Sequence, residues 1–119
     1  MAEKGYVKDA EILAMAEERA GEAARDLPAA RDVADLLEAY VDEHAPDHYS
    51  REIEDHFTIT RIEPGRLWLE SFTSGDRKIG PVPVPQEVSR RCRVGWDISG
   101  VMVKTTKGWR LREVWNVSP

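Results

Sequence analysis

"IGPVPVPQ", residues 79–86, places proline at every second position of a run that otherwise reads as a strand. In an extended chain successive N–H groups point to opposite edges, so Pro81, Pro83 and Pro85 remove donors from one edge while Val82 and Val84 keep theirs on the other. Such a segment pairs with one neighbour and refuses a second, which is one way natural sheets blunt an edge. A polyproline II ligand is the competing reading, but the spacing is P-x-P-x-P and not P-x-x-P. Residues 79–85 are therefore expected to form a proline-protected sheet edge.

Short β-rich runs lie on both sides of it: "TITRI" (58–62), "RLWLESF" (66–72), "CRVGWDI" (92–98), "VMVKTT" (101–106) and "WRLREVWNV" (109–117). Turn signals separate them at "EPG", "TSGD", "SG" and "KG". Strict alternation in the last run puts Trp109, Leu111, Glu113 and Trp115 on one face, opposite Arg110, Arg112 and Val114. Strands this short cannot build a two-layer sandwich and must curl into a small barrel or lean on helices. With its hairpins, its proline-marked edge and a helical turn at "PQEVSRRC", the stretch from residue 56 to 119 resembles a small SH3-like barrel. The resemblance implies a fold and no ligand, because the acidic-aromatic peptide-binding signature of eukaryotic SH3 domains is missing.

Upstream the period changes to that of a helix. In "RDVADLLEAYVDEH" (31–44), Val33, Leu36, Leu37, Tyr40, Val41 and His44 share one face, and Asp32, Asp35, Glu38 and Asp42 occupy the other. Pro46 should end that helix at or before Ala45. A thinner stripe, Ile12, Ala16, Ala20, Ala23 and Leu27, predicts an earlier helix, with Gly21 inside it. Asp26 and Pro28 supply start signals between the two, so a helical hairpin is expected. A further turn of helix is expected in "SREIEDHF" (50–57), with Ser50 as cap.

Charge divides the chain at the same place. Residues 1–55 hold 16 Asp and Glu against 6 Lys and Arg, a net of −10, whereas residues 56–119 hold 6 against 11, a net of +5. All four tryptophans lie in the second part. The fold expected is therefore α+β: an acidic helical region, 1–55, and a small basic, Trp-rich antiparallel barrel, 56–119, packed as one unit at a length that suits one domain. The start carries acidic residues from position 3 and no apolar run of signal or membrane-spanning length. The single cysteine, Cys92, excludes an internal disulfide framework. A cytoplasmic protein with no membrane association is expected.

Candidate chemistry is sparse. His44, His48 and His56 cluster with Glu43, Asp47 and Asp55, and His44 and His48 stand at i, i+4, but Pro46 lies between them and the H-E-x-x-H zinc pattern is absent. Cys92 is flanked by Arg90, Arg91 and Arg93, which would favour a thiolate, yet no histidine is tied to it as a base. No glycine-rich phosphate loop, dinucleotide fingerprint or nucleophile elbow is present, so no enzyme activity, metal or cofactor is expected. Two classes of partner remain. The first is a protein partner or a second copy of the chain, met by an amphipathic helix that an alanine-rich neighbour covers incompletely. The second is nucleic acid, held by Lys104, Lys107, Trp109, Arg110 and Arg112 on one hairpin with Arg90, Arg91 and Arg93 as a second basic group. Salt bridges from barrel to helices would favour the first; a contiguous basic patch around an exposed Trp109 would favour the second.

Overall fold

The computed structural model describes residues 27–73 and 78–119. A helix, α1, runs over 27–44 and is followed by five strands and one short helix: β1 (Arg51–Glu63), β2 (Arg66–Ser71), β3 (Lys78–Pro83), α2 (Gln86–Arg91), β4 (Asp97–Thr105) and β5 (Gly108–Ser118). The strands form one antiparallel sheet in the order β3-β2-β1-β4-β5, an α+β arrangement. The first helix of the expected hairpin lies outside the described residues. Among the described residues no helix is long and apolar enough to cross a membrane.

β3 is an edge strand, as the prolines require. The Val84 N–H donates to Gly65 O at 3.0 Å, which fixes the valine donors toward β2 and turns the donorless Pro81 and Pro83 positions to the far side. On that far side β5 comes close to β3 without forming a ladder with it. The expected closed SH3-like barrel is therefore corrected to an open, curled sheet. A ladder needs N–H groups, and the proline edge has none to offer at those positions.

Helix α1 packs its apolar face into the sheet's core, with its C-terminal end beside β5 and Pro85. Ala30, Val33, Leu37 and Val41 are buried in one core with Phe57, Ile59, Leu67, Leu69, Ile79, Val82, Ile98 and Met102 of the sheet. Burial of a Val or Leu side chain stabilises by roughly 2 kcal/mol each, so this stripe fastens helix to sheet. Leu36 and Tyr40, at the margin of the same stripe, are half-buried, and His44 is exposed. The sheet therefore takes up the helix face that the sequence offers as a docking surface. The helix ends at His44, one turn closing through Ala45 N–H to Val41 O at 2.8 Å before Pro46.

Two further expectations are corrected. "SREIEDHF" continues into no helix: β1 begins at Arg51 and pairs with β4 from Arg51↔Lys104 to Thr58↔Asp97. Ile53 and Phe57 also satisfy a period of two, and the long β4 partner decides between the periods. Nor does "SG" turn the chain. Ser99 and Gly100 sit inside β4, because the backbone of β5 passes so close that a Cβ at Gly100 would overlap the Glu113 carbonyl oxygen. The expected turn at "TSGD" falls largely outside the described residues, whereas "EPG" and "KG" do join β1 to β2 and β4 to β5.

The close approach at Gly100 accompanies two register shifts between β4 and β5, with Met102↔Leu111, Gly100↔Val114 and Ile98↔Val117 as the core pairs. Arg112 and Trp115 are the extra residues. Leu111, Val114 and Val117 are thus buried at a spacing of three, and the alternation expected for this strand is broken twice.

Gly100→Ala should cost ~3 kcal/mol by overpacking against the β5 backbone. Gly95→Ala, with nothing within 4 Å of its added Cβ and only a φ of +95° to strain, should cost about 1 kcal/mol. Urea unfolding of both variants reads the difference, and equal losses would contradict the close approach.

Candidate functional site

The bulges of β5 aim its two extra side chains at the C-terminal half of α1. Between them lies a groove of ≈ 580 Å³ lined by Glu38, Val41, Asp42 and Ala45 of the helix end, by Asp47, and by Arg112, Glu113, Val114 and Trp115 of β5. Glu38 and Asp42 stand one helical turn apart, so their carboxylates share a face. Arg112 is already engaged: its Nη1 donates to Pro46 O at 2.7 Å and its guanidinium lies 5.1 Å from the ring of Tyr49. Trp115 is 51% exposed, and its indole N–H donates to Glu113 Oε2 at 3.2 Å. The groove therefore combines an accessible indole, an apolar strip at Val41, Ala45 and Val114, and four carboxylates against one guanidinium.

The basic set expected on the β4–β5 hairpin is divided by the same register. Lys104 pairs with Trp109 across the strands, its Nζ 5.8 Å from the indole, while Arg110 pairs with Val103 and so points to the opposite face. Lys107 sits in the turn. Trp109 is half-buried and packs against the core. In the second basic group Arg91 bonds Glu87 at 2.8 Å and reaches Asp32 of α1 at 3.7 Å, a salt bridge from the sheet domain to the helix. Arg90 is exposed on α2, and Arg93 is exposed beyond it.

Cys92 is buried at the C-terminal end of α2, and burial pushes its thiol up to about 11. The neighbouring arginines do not produce a thiolate, because the sulfur points inward while they remain in solvent. The histidines are dispersed. His44 stands at the helix end against Tyr40 at 4.7 Å, His48 follows beyond Pro46, and His56 lies in β1. Among the described residues no three His, Cys, Asp or Glu side chains come together as a metal site.

Sequence reading missed a polar network beside His56. Ser99 Oγ and His56 Nδ1 are 2.6 Å apart across β1 and β4. Asp55 accepts from Ser71 Oγ at 2.5 Å, from Thr73 N–H at 3.0 Å and from His56 N–H at 2.7 Å, pinning the end of β2 to β1. Burial by itself raises the Asp55 carboxyl, but these hydrogen bonds outweigh it and bring the group down from 3.8 to about 2. The Asp55 carboxylate points to Ser71 and Thr73 and not to the imidazole ring, so the neighbouring serine, histidine and aspartate do not line up as a relay. Trp68 was also missed as a surface feature. Its sequence signal was the pair of arginines, Arg61 and Arg66, that the β1–β2 turn folds back over it.

Comparison with protein-family models, with curated proteins and with solved structures found no match for this chain.

Because the folded Asp55 value lies below the unfolded one, its contribution to stability is present above about pH 4 and is lost as pH falls toward about 2. Asp55→Asn should lower stability at neutral pH, and the gap from the parent protein should close over that acid window. Urea midpoints followed with pH check this; a gap that stays constant to acid pH would contradict it.

Proposed function

We propose that this chain is a non-catalytic interaction protein whose α1–β5 groove docks a segment of a protein partner carrying basic side chains. The observation that carries the reading is the pair of β5 bulges, which place Trp115, half-exposed, beside Glu38, Asp42, Asp47 and Glu113. Exposed tryptophans with an apolar strip and a charged rim are the usual anchors of protein contacts. An excess of carboxylates selects cationic partners and speeds their encounter. A net charge of −5 for the whole chain works in the same direction. A cytoplasmic setting belongs to this reading and fits a single, inward-facing cysteine.

Nucleic-acid binding by the hairpin cations asks for those side chains on one surface. The strand register divides them between two faces, and in the second group Arg91 is paired at the surface with Glu87 and Asp32. The groove is the better-supported site.

A fluorescein-labelled octa-arginine peptide is the probe. At about 50 mM salt it should bind with Kd on the order of 10 µM, weaken at least tenfold for Trp115→Ser and for the double change Glu38→Gln with Asp42→Asn, and weaken further with added salt. Octa-glutamate should not bind. Unaltered affinity in both variants would overturn the reading. So would concentration-dependent self-association of the parent that Trp115→Ser abolishes, because that result gives the groove to a second copy of the chain.

A further inference from the structure

A second recess lies on the opposite side of the sheet, and it arises from backbone irregularities around one residue. Trp68 points away from the core, between the buried Leu67 and Leu69. On the β1 side the register shifts between Ile59 and Arg61, leaving Thr60 as the extra residue with its hydroxyl donating to Trp68 O at 3.2 Å. On the β3 side it shifts again between Leu67 and Leu69, opposite Gly80. A Cβ at Gly80 would come within 2.8 Å of Trp68 Cδ1, so the indole leans directly over the edge-strand backbone. Arg61 lies 4.7 Å and Arg66 5.8 Å from its ring centre. Two register shifts and a glycine with φ +148° thus hold one tryptophan on the sheet surface, and bulges are over-represented at sheet edges and next to active sites, where they re-aim a side chain or end pairing.

Beside the indole is a cleft of ≈ 300 Å³ lined by Thr60, Arg61, Trp68, Glu70, Lys78 and Ile79 among others. Its charges are not balanced. Glu63 is shared by Arg61 at 2.6 Å and Arg66 at 3.1 Å, one carboxylate for two guanidiniums. Lys78 is exposed and forms no ion pair among the described residues. Among the described residues the recess and its rim therefore carry three cations, Arg61, Arg66 and Lys78, against two carboxylates, Glu63 and Glu70, with Glu70 opposite Lys78 across the strands.

We propose that this cleft binds a phosphorylated nucleoside, either free or as a unit of a single strand. The guanidinium of Arg61, which lies over the indole ring, offers a planar base a stacking surface. Lys78 and the uncompensated arginine charge receive the phosphate. The volume sits at the low end of ligand sites, which admits one nucleotide and not a dinucleotide cofactor. This assignment does not depend on the α1–β5 groove, which lies at the other end of the strand order.

Isothermal titration of the full chain at about 50 mM salt with AMP, adenosine and inorganic phosphate, and with a deoxyadenosine decamer, tests it. AMP should bind with Kd on the order of 0.1–1 mM, and adenosine and phosphate each about tenfold more weakly or not measurably. Lys78→Gln, a change of an exposed side chain that leaves the fold intact, should weaken AMP about tenfold, whereas Trp115→Ser should leave it unchanged. A decamer much tighter than AMP identifies the strand as source, and a decamer no tighter than AMP identifies the free nucleotide. The proposal is overturned if neither AMP nor the decamer binds, if phosphate alone binds as tightly as AMP, or if Lys78→Gln binds AMP like the parent.

Discussion

The missing backbone donors along the outer edge of β3 determine what the rest of this molecule has to do. A five-stranded sheet of this curvature brings its first and last strands in order, β3 and β5, alongside each other. With N–H groups on both edges the two would zip together. Pro81 and Pro83 withhold them on β3, and the far edge of that strand stays unpaired. An open curled sheet leaves its apolar interior accessible, so something apolar has to cover it. Helix α1 does so with Ala30, Val33, Leu37 and Val41. The end of the helix beside β5 also borders the groove, since a cylinder laid against a strand leaves a channel on its flank.

The two ends of the sheet then differ in character through local backbone events. At β5, a glycine in the neighbouring strand lets the chain approach closely, and the two extra residues, Arg112 and Trp115, emerge toward the helix. At β2, extra residues on both flanking strands isolate Trp68 among cations. One recess is acidic with an exposed indole and the other is cationic with a clamped one. The division of charge between the two parts of the chain is thus partly settled within the molecule, by Asp32 on Arg91, and partly displayed on its surface.

The features that depend on a single run of residues could be read from the sequence. The proline edge followed from 79–85, the apolar face of α1 from its i, i+3, i+4 spacing, and α2 from "PQEVSRRC". What escaped depended on pairs of strands. Nothing local to "DISGVMVKT" says that Gly100 admits a neighbouring backbone instead of making a turn. Strict alternation in "WRLREVWNV" failed because a bulge is a property of two strands, although the spacing of Leu111, Val114 and Val117 carried the signal. The candidate binding residues were assembled by proximity in sequence, which put Trp109 and Arg110 together. Pleating separates them, and Trp68 gathers its cations from β1 and from the start of its own strand.

The central claim is that α1 completes an open sheet, so that helix and sheet form one cooperative unit. Leu37→Ala tests it most directly, because Leu37 is fully buried and every tryptophan lies in the sheet part of the chain. Urea unfolding should be followed at once by far-ultraviolet circular dichroism, which senses the helix, and by tryptophan emission, which senses the sheet. The account predicts a loss of roughly 3 kcal/mol in both signals, with coincident transitions. A tryptophan transition left at its parent midpoint while the helical signal melts early would contradict it, since the sheet would then stand without its cover.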